Sequence, residues 1–112
     1  MTDRGSGGSP LPKGFAGRRW VHAHEEDTAT TEVFRPATTP LPPARGRYAF
    51  EMFEGGRLVE RPLARDDAPR DRDGTWRVGA DGTIRFFEAG RAEPTRRLRV
   101  VAVTNDRLVV DA

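Results

Sequence analysis

The side chains best equipped for chemistry are concentrated between Arg18 and Asp27. This stretch reads Arg-Arg-Trp-Val-His-Ala-His-Glu-Glu-Asp and holds both histidines of the chain. Residues two apart on an extended strand share a face, so His22 and His24 point the same way and could ligate one metal with a carboxylate from Glu25, Glu26 or Asp27. No third histidine is present and the acids follow His24 directly, whereas the ligands of a two-histidine iron triad come from separated segments. No metal or cofactor is therefore assigned. Two further uses stay open. His24 with Glu25 or Glu26 would serve a small isomerase or hydrolase as acid and base. Alternatively, the acidic run accepts hydrogen bonds from Arg45 and Arg47, tying the first strand to the third.

Other chemistries find little to work with. The chain has no cysteine, and its serines, Ser6 and Ser9, lie in a glycine-rich beginning, outside any nucleophile elbow or phosphate-cradling motif. With 19 basic and 17 acidic residues the formal charge is only +2, and acids are interleaved around Trp76-Arg77 and Arg85-Phe86-Phe87, so no nucleic-acid partner is indicated. No apolar run approaches the ~18 residues of a membrane span, and no secretory leader opens the chain, which leads to the expectation of a cytoplasmic protein without a membrane partner.

The elements that must position these residues read as strands. Residues 1–16, with Gly5-Ser-Gly-Gly-Ser-Pro10, form a tail too poor in apolar groups to offset the entropy of ordering. From residue 17 to 112 short β-branched and aromatic segments alternate with turns, placing strands near 18–24, 31–35, 47–54, 57–63, 75–79, 83–88, 96–104 and 107–111. Gly55-Gly56, Asp81-Gly82 and Asn105-Asp106 are two-residue hairpin signals. Two connections are longer: a proline-rich crossing from Pro36 to Gly46, and a charged loop from Ala64 to Asp73.

Alternation assigns one face to a core of Tyr48, Phe50, Met52, Leu58, Trp76, Val78, Ile84, Phe86, Leu98, Val100, Ala102, Leu108 and Val110. A sheet with one apolar face and no helix to cover it must curl on itself. The fold expected is all-β, an antiparallel meander closing into a barrel or half-barrel of seven or eight strands. On the outer face Phe87, Val101, Val103 and Val109 would gather into an apolar patch through which two copies form a homodimer.

Gly17-Arg-Arg-Trp20 on the first strand, followed by this meander, resembles the opening of lipocalin-like barrels, with one extra residue inside the Gly-x-Trp motif. Gly74-Thr-Trp76 matches the spacing but lies in mid-chain. Together with His24-Glu-Glu-Asp27, Phe34-Arg-Pro36 and Pro42-Pro-Ala-Arg-Gly-Arg47, these residues resemble short bacterial lipocalin-like proteins. They resemble more distantly the non-catalytic peptide-binding barrels of ribosomal-peptide natural-product biosynthesis. The resemblance implies a binding protein for a small ligand or peptide. Its site would lie at the barrel mouth, with Trp20 and Trp76 as stacking surfaces, His22 and His24 as polar handles, Arg45 with Arg47 as a carboxylate fork, and Tyr48 among the ligand-binding residues. An extended peptide could also join an exposed sheet edge.

Overall fold

A computed structural model describes residues 15–43, 46–62 and 71–111. Nine strands form one antiparallel sheet: β1 (Arg19–His22), β2 (Thr31–Pro36), β3 (Ala49–Met52), β4 (Arg57–Arg61), β5 (Arg72–Val78), β6 (Ile84–Glu88), β7 (Pro94–Leu98), β8 (Val100–Val103) and β9 (Leu108–Asp111). Their order across the sheet is β7-β6-β5-β4-β3-β1-β2-β9-β8. Since β7 and β8 at the two ends are joined through Arg99 alone, the sheet curls into a nearly closed barrel. The all-β barrel expected from the sequence is thus observed, with one strand more than expected. Among the described residues there is no α-helix, only a 3-10 turn at His24–Glu26, and no helix is long and apolar enough to cross a membrane.

The extra strand arises where 96–104 reads as one strand. At Arg99 the chain changes partner: β7 pairs β6, whereas β8 pairs β9. The Arg99 carbonyl accepts the Asp111 N–H at 2.9 Å, so a single bent segment joins the two edges. The three expected hairpins join β3–β4, β5–β6 and β8–β9. At the first of them Gly55 and Gly56 both adopt positive φ, 92° and 97°, a conformation in which any Cβ would be strained.

Besides the change of partner at Arg99, the meander fails between β2 and β3. β3 pairs β1 rather than β2, whose other neighbour is β9. The proline-rich segment after Pro36 therefore has to cross β1. Prolines cannot donate to a ladder, which suits a connection that lies outside the sheet. Leu41 in this crossing packs against Ala23, Val33 and Val109.

Inside the barrel, Phe34, Phe50 and Phe86 form a chain of edge-on rings, with centroids 5.3 and 5.1 Å apart. All three are fully buried together with Trp20, Met52, Leu58, Ile84, Leu98, Leu108 and Val110, and each large apolar side chain contributes about 1.5–3 kcal/mol. Phe15, which the composition assigns to the tail, is buried as well and stacks on Trp20 at 5.5 Å. Ala102 was expected inside, but Val103 takes that place. A register shift between Val100 and Ala102 makes Val101 the extra residue of a bulge and reverses the alternation beyond it.

The bulge and the cover of neighbouring side chains disperse the expected outer patch. Val103 faces the main core, Val109 lies under Leu41, and the Arg77 guanidinium stacks on Phe87 at 4.5 Å. Val101 alone stays in solvent, 55% exposed. The four side chains expected at a dimer contact do not form one surface.

Candidate functional site

The inward phase that builds the core continues, at one end of the barrel, into ionisable residues. Glu60 lies two positions beyond Leu58, Glu32 two before Phe34, Tyr48 two before Phe50 and Arg96 two before Leu98. His22 follows Trp20 by two, and Arg72 is in phase with Trp76 on β5. Antiparallel pairing brings the ends of β1 and β4 beside the starts of β2, β3, β5 and β7. These six side chains therefore form a polar mouth above the ring chain of the core.

One half of the mouth is a pocket of about 220 Å³ lined by Tyr48, Glu60, Pro62, Arg72, Thr95 and Arg96. At its base the Tyr48 hydroxyl donates to Glu60 Oε2 at 2.5 Å, and Glu60 is only 3% exposed. Burial pushes the Tyr48 phenol far above its ordinary range; the Glu60 carboxylate acts in the same direction and the Arg96 charge opposes both. Tyr48 is thus a fixed hydrogen-bond donor. Arg72 bonds the other Glu60 oxygen through Nη2 at 3.3 Å and approaches Glu88 at 3.5 Å. Its buried Nε finds no acceptor among the described residues. The Arg96 guanidinium lies over the Tyr48 ring at 4.1 Å, with Glu32 at 3.8 Å.

The other half holds His22, Asp27 and Glu32. His22 Nε2 and Asp27 Oδ2 are 2.8 Å apart, and Asp27 Oδ1 accepts the Val33 N–H at 2.9 Å. The His22 ring rests on Phe34 with centroids 5.1 Å apart.

The residues expected at the site from sequence are distributed differently. Tyr48 and His22 face the mouth. Trp20 is fully buried beneath it, its Nε1 donating to the Phe15 carbonyl at 3.3 Å. Trp76 lies towards the opposite end, where its Nε1 donates to the Phe53 carbonyl at 2.8 Å. β1 ends at His22, so His24 sits on the 3-10 turn with its side chain half exposed, its ring centroid 6.1 Å from that of His22. Arg45 lies outside the described residues.

Arg47 is part of a structural clamp. It bonds both Glu25 oxygens, at 2.9 and 2.5 Å, together with the His22 and Pro42 carbonyls. This matches the reading in which the acidic run accepts arginine, with Arg35 serving Glu26 in the same bidentate way at 2.9 and 2.7 Å. The Arg47 hydrogen bonds hold Glu25 at a pKa of about 2, and those from Arg35 lower Glu26. Both carboxylates are thus ionised and bonded to arginine near neutrality, and His24 Nε2 lies 3.8 Å from Glu25 Oε2.

Glu32, Glu60, Arg72 and Arg96 do not stand out in the sequence, where each looks like a solvated charge at a strand end. The available signal was phase: each falls an even number of positions from a core residue on its own strand. Comparison with protein-family models, curated proteins and solved structures finds no match.

Proposed function

We propose that this barrel is a non-catalytic binding protein that holds a small ligand or the end of a peptide by a carboxylate at its polar mouth. The observation that carries this reading is the inward phase of Arg72 and Arg96, two cations facing the pocket beside a buried Tyr48–Glu60 pair. Ligand pockets for drug-sized molecules enclose roughly 300–1,000 Å³. A pocket of about 220 Å³ suits an end group. The packed ring chain below it supports a ligand that sits on the barrel rather than inside. Arginine recognises carboxylates through a planar fork, and the buried Arg72 Nε is a donor that such an acceptor would relieve. The likeness to peptide-binding barrels of ribosomal-peptide biosynthesis favours a peptide terminus and a role as a biosynthetic accessory. An enzyme using His24 with Glu25 or Glu26 has less support, because arginine already engages both acids.

The test is calorimetric titration with acetylated tripeptides ending in a free carboxylate, beside the same peptides ending in a carboxamide. The free acids are expected to bind, the amides at least ~10-fold more weakly, and Arg96→Gln and Arg72→Gln to lose a similar factor, since a charge-assisted hydrogen bond contributes about 1.5–3 kcal/mol. Equal binding of acid and amide, or unchanged binding by both variants, refutes the carboxylate site.

A further inference from the structure

We propose that His22, Asp27 and Glu32 form a binding site for a divalent transition cation of the zinc class on the rim of the mouth. One ligand atom from each lies within 4.8 Å of the others, and all three side chains are partly exposed. This set keeps His22 and Asp27 from the His-Ala-His reading and replaces His24 with Glu32 of β2.

Each ligand is held by something outside the trio. Phe34 supports the His22 imidazole, and the Val33 N–H holds Asp27 Oδ1, which directs Oδ2 towards His22 Nε2. Glu32 faces inward at the start of β2, opposite Val110 of β9. Ligand bonds of about 2.0–2.2 Å require donor atoms roughly 3.3–3.6 Å apart in a tetrahedron. The His22–Asp27 pair, 2.8 Å apart, has to give up its shared proton and open by roughly half an ångström, and the Glu32 side chain, a third exposed and held among the described residues by Arg96 at 3.8 Å, has to swing towards it. One imidazole nitrogen and two carboxylate oxygens make a mixed donor set. Imidazole selects zinc-like cations over magnesium or calcium, and three protein ligands leave a coordination position open to solvent. Arg96 competes with the cation for Glu32, 3.8 Å away.

This site uses other ligands than the carboxylate pocket, so either can fail alone. It is tested on the metal-free full-length protein by zinc titration in competition with a chromophoric chelator of micromolar affinity, in the absence of any organic ligand. One equivalent of zinc is expected to bind. Glu32→Gln and His22→Ala should each weaken uptake at least tenfold, while His24→Ala leaves it unchanged. Arg96→Met should strengthen it, by up to about fivefold for a partly exposed charge contact. Glu32→Gln leaves the Asp27 turn and the His22–Phe34 contact in place, and its circular dichroism should stay native, which separates ligand loss from unfolding. No uptake against the chelator, or uptake that His22→Ala and Glu32→Gln leave intact, overturns the proposal. Uptake lost in His24→Ala would also overturn it, in favour of the His-Ala-His pair.

Discussion

Tyr48 is the only tyrosine in the chain, so its ionisation can be followed without interference. It is 6% exposed and donates to a buried carboxylate. Ionising it in the folded barrel would place a phenolate in a desolvated site against Glu60, and its folded-state pKa lies far above the ordinary 10.0. In the unfolded chain it titrates near that ordinary value. A raised folded pKa means that the stability contributed is complete below about pH 10 and is lost as pH rises further, because only the unfolded state releases the proton. The slope is about 1.4 kcal/mol per pH unit while the folded phenol stays protonated, and it does not depend on the size of the shift. Raising the pH from about 10, where the unfolded phenol is half ionised, to about 11.5 should cost about 1.6 kcal/mol, lowering Tm by roughly 6–13 °C for a domain of this size. The assay is urea unfolding followed by circular dichroism across that range, with tyrosinate absorbance read in parallel on the native protein. Tyr48→Phe is the reference: it should be less stable at neutral pH by about 1.5–3 kcal/mol, having removed a donor from buried Glu60, and should show none of the alkaline slope due to Tyr48. Tyrosinate absorbance appearing at an ordinary midpoint in protein with native circular dichroism would refute the reasoning. So would an alkaline slope identical in Tyr48→Phe.

Two further perturbations probe the frame around the mouth. Gly74 lies where a Cβ would collide with the Phe87 carbonyl oxygen on β6, backbone against backbone, so Gly74→Ala should cost at least about 2 kcal/mol in denaturant unfolding; an unchanged midpoint would show that the two strands part easily. Glu25 has a depressed folded pKa, so its contribution is present above the ordinary 4.5 and is lost as pH falls towards about 2. Glu25→Gln should flatten the stability profile across that window, and matching profiles for the two proteins would remove the Arg47 clamp as a source of acid sensitivity.

Much of the barrel could be read from local chemistry. Gly55-Gly56, Asp81-Gly82 and Asn105-Asp106 specify hairpins because few other dipeptides accept such turns, and the alternation of Tyr48, Phe50 and Met52 tolerates only one inward face. The pairing of the acids after His24 with arginine was legible from charge and glycine placement around Arg47. Features that depend on non-local pairing were not. Nothing in the run from Pro36 to Gly46 states that it crosses β1, and the turn of the chain at Arg99 leaves no proline or glycine to mark it. The mouth was hidden for the same reason: Glu32, Glu60, Arg72 and Arg96 belong together only once the strand order brings their ends to one rim. The exchange of Ala102 for Val103 followed from a bulge that an alternation argument cannot foresee.

The seam between β2 and β9 joins Phe34 to Leu108 and Val33 to Val109, segments far apart along the chain. Pairings of this kind pay the largest loop-closure entropy and are expected to form after the local hairpins. Until they do, two short apolar strands expose unpaired backbone to neighbouring chains, which is the usual beginning of edge-to-edge aggregation. Glu32 and Arg35 on β2, and Arg107 and Asp111 around β9, put charges at the ends of both strands. The same side chains that furnish the finished barrel are thus placed as gatekeepers, charges that oppose edge-to-edge pairing for as long as the seam is open.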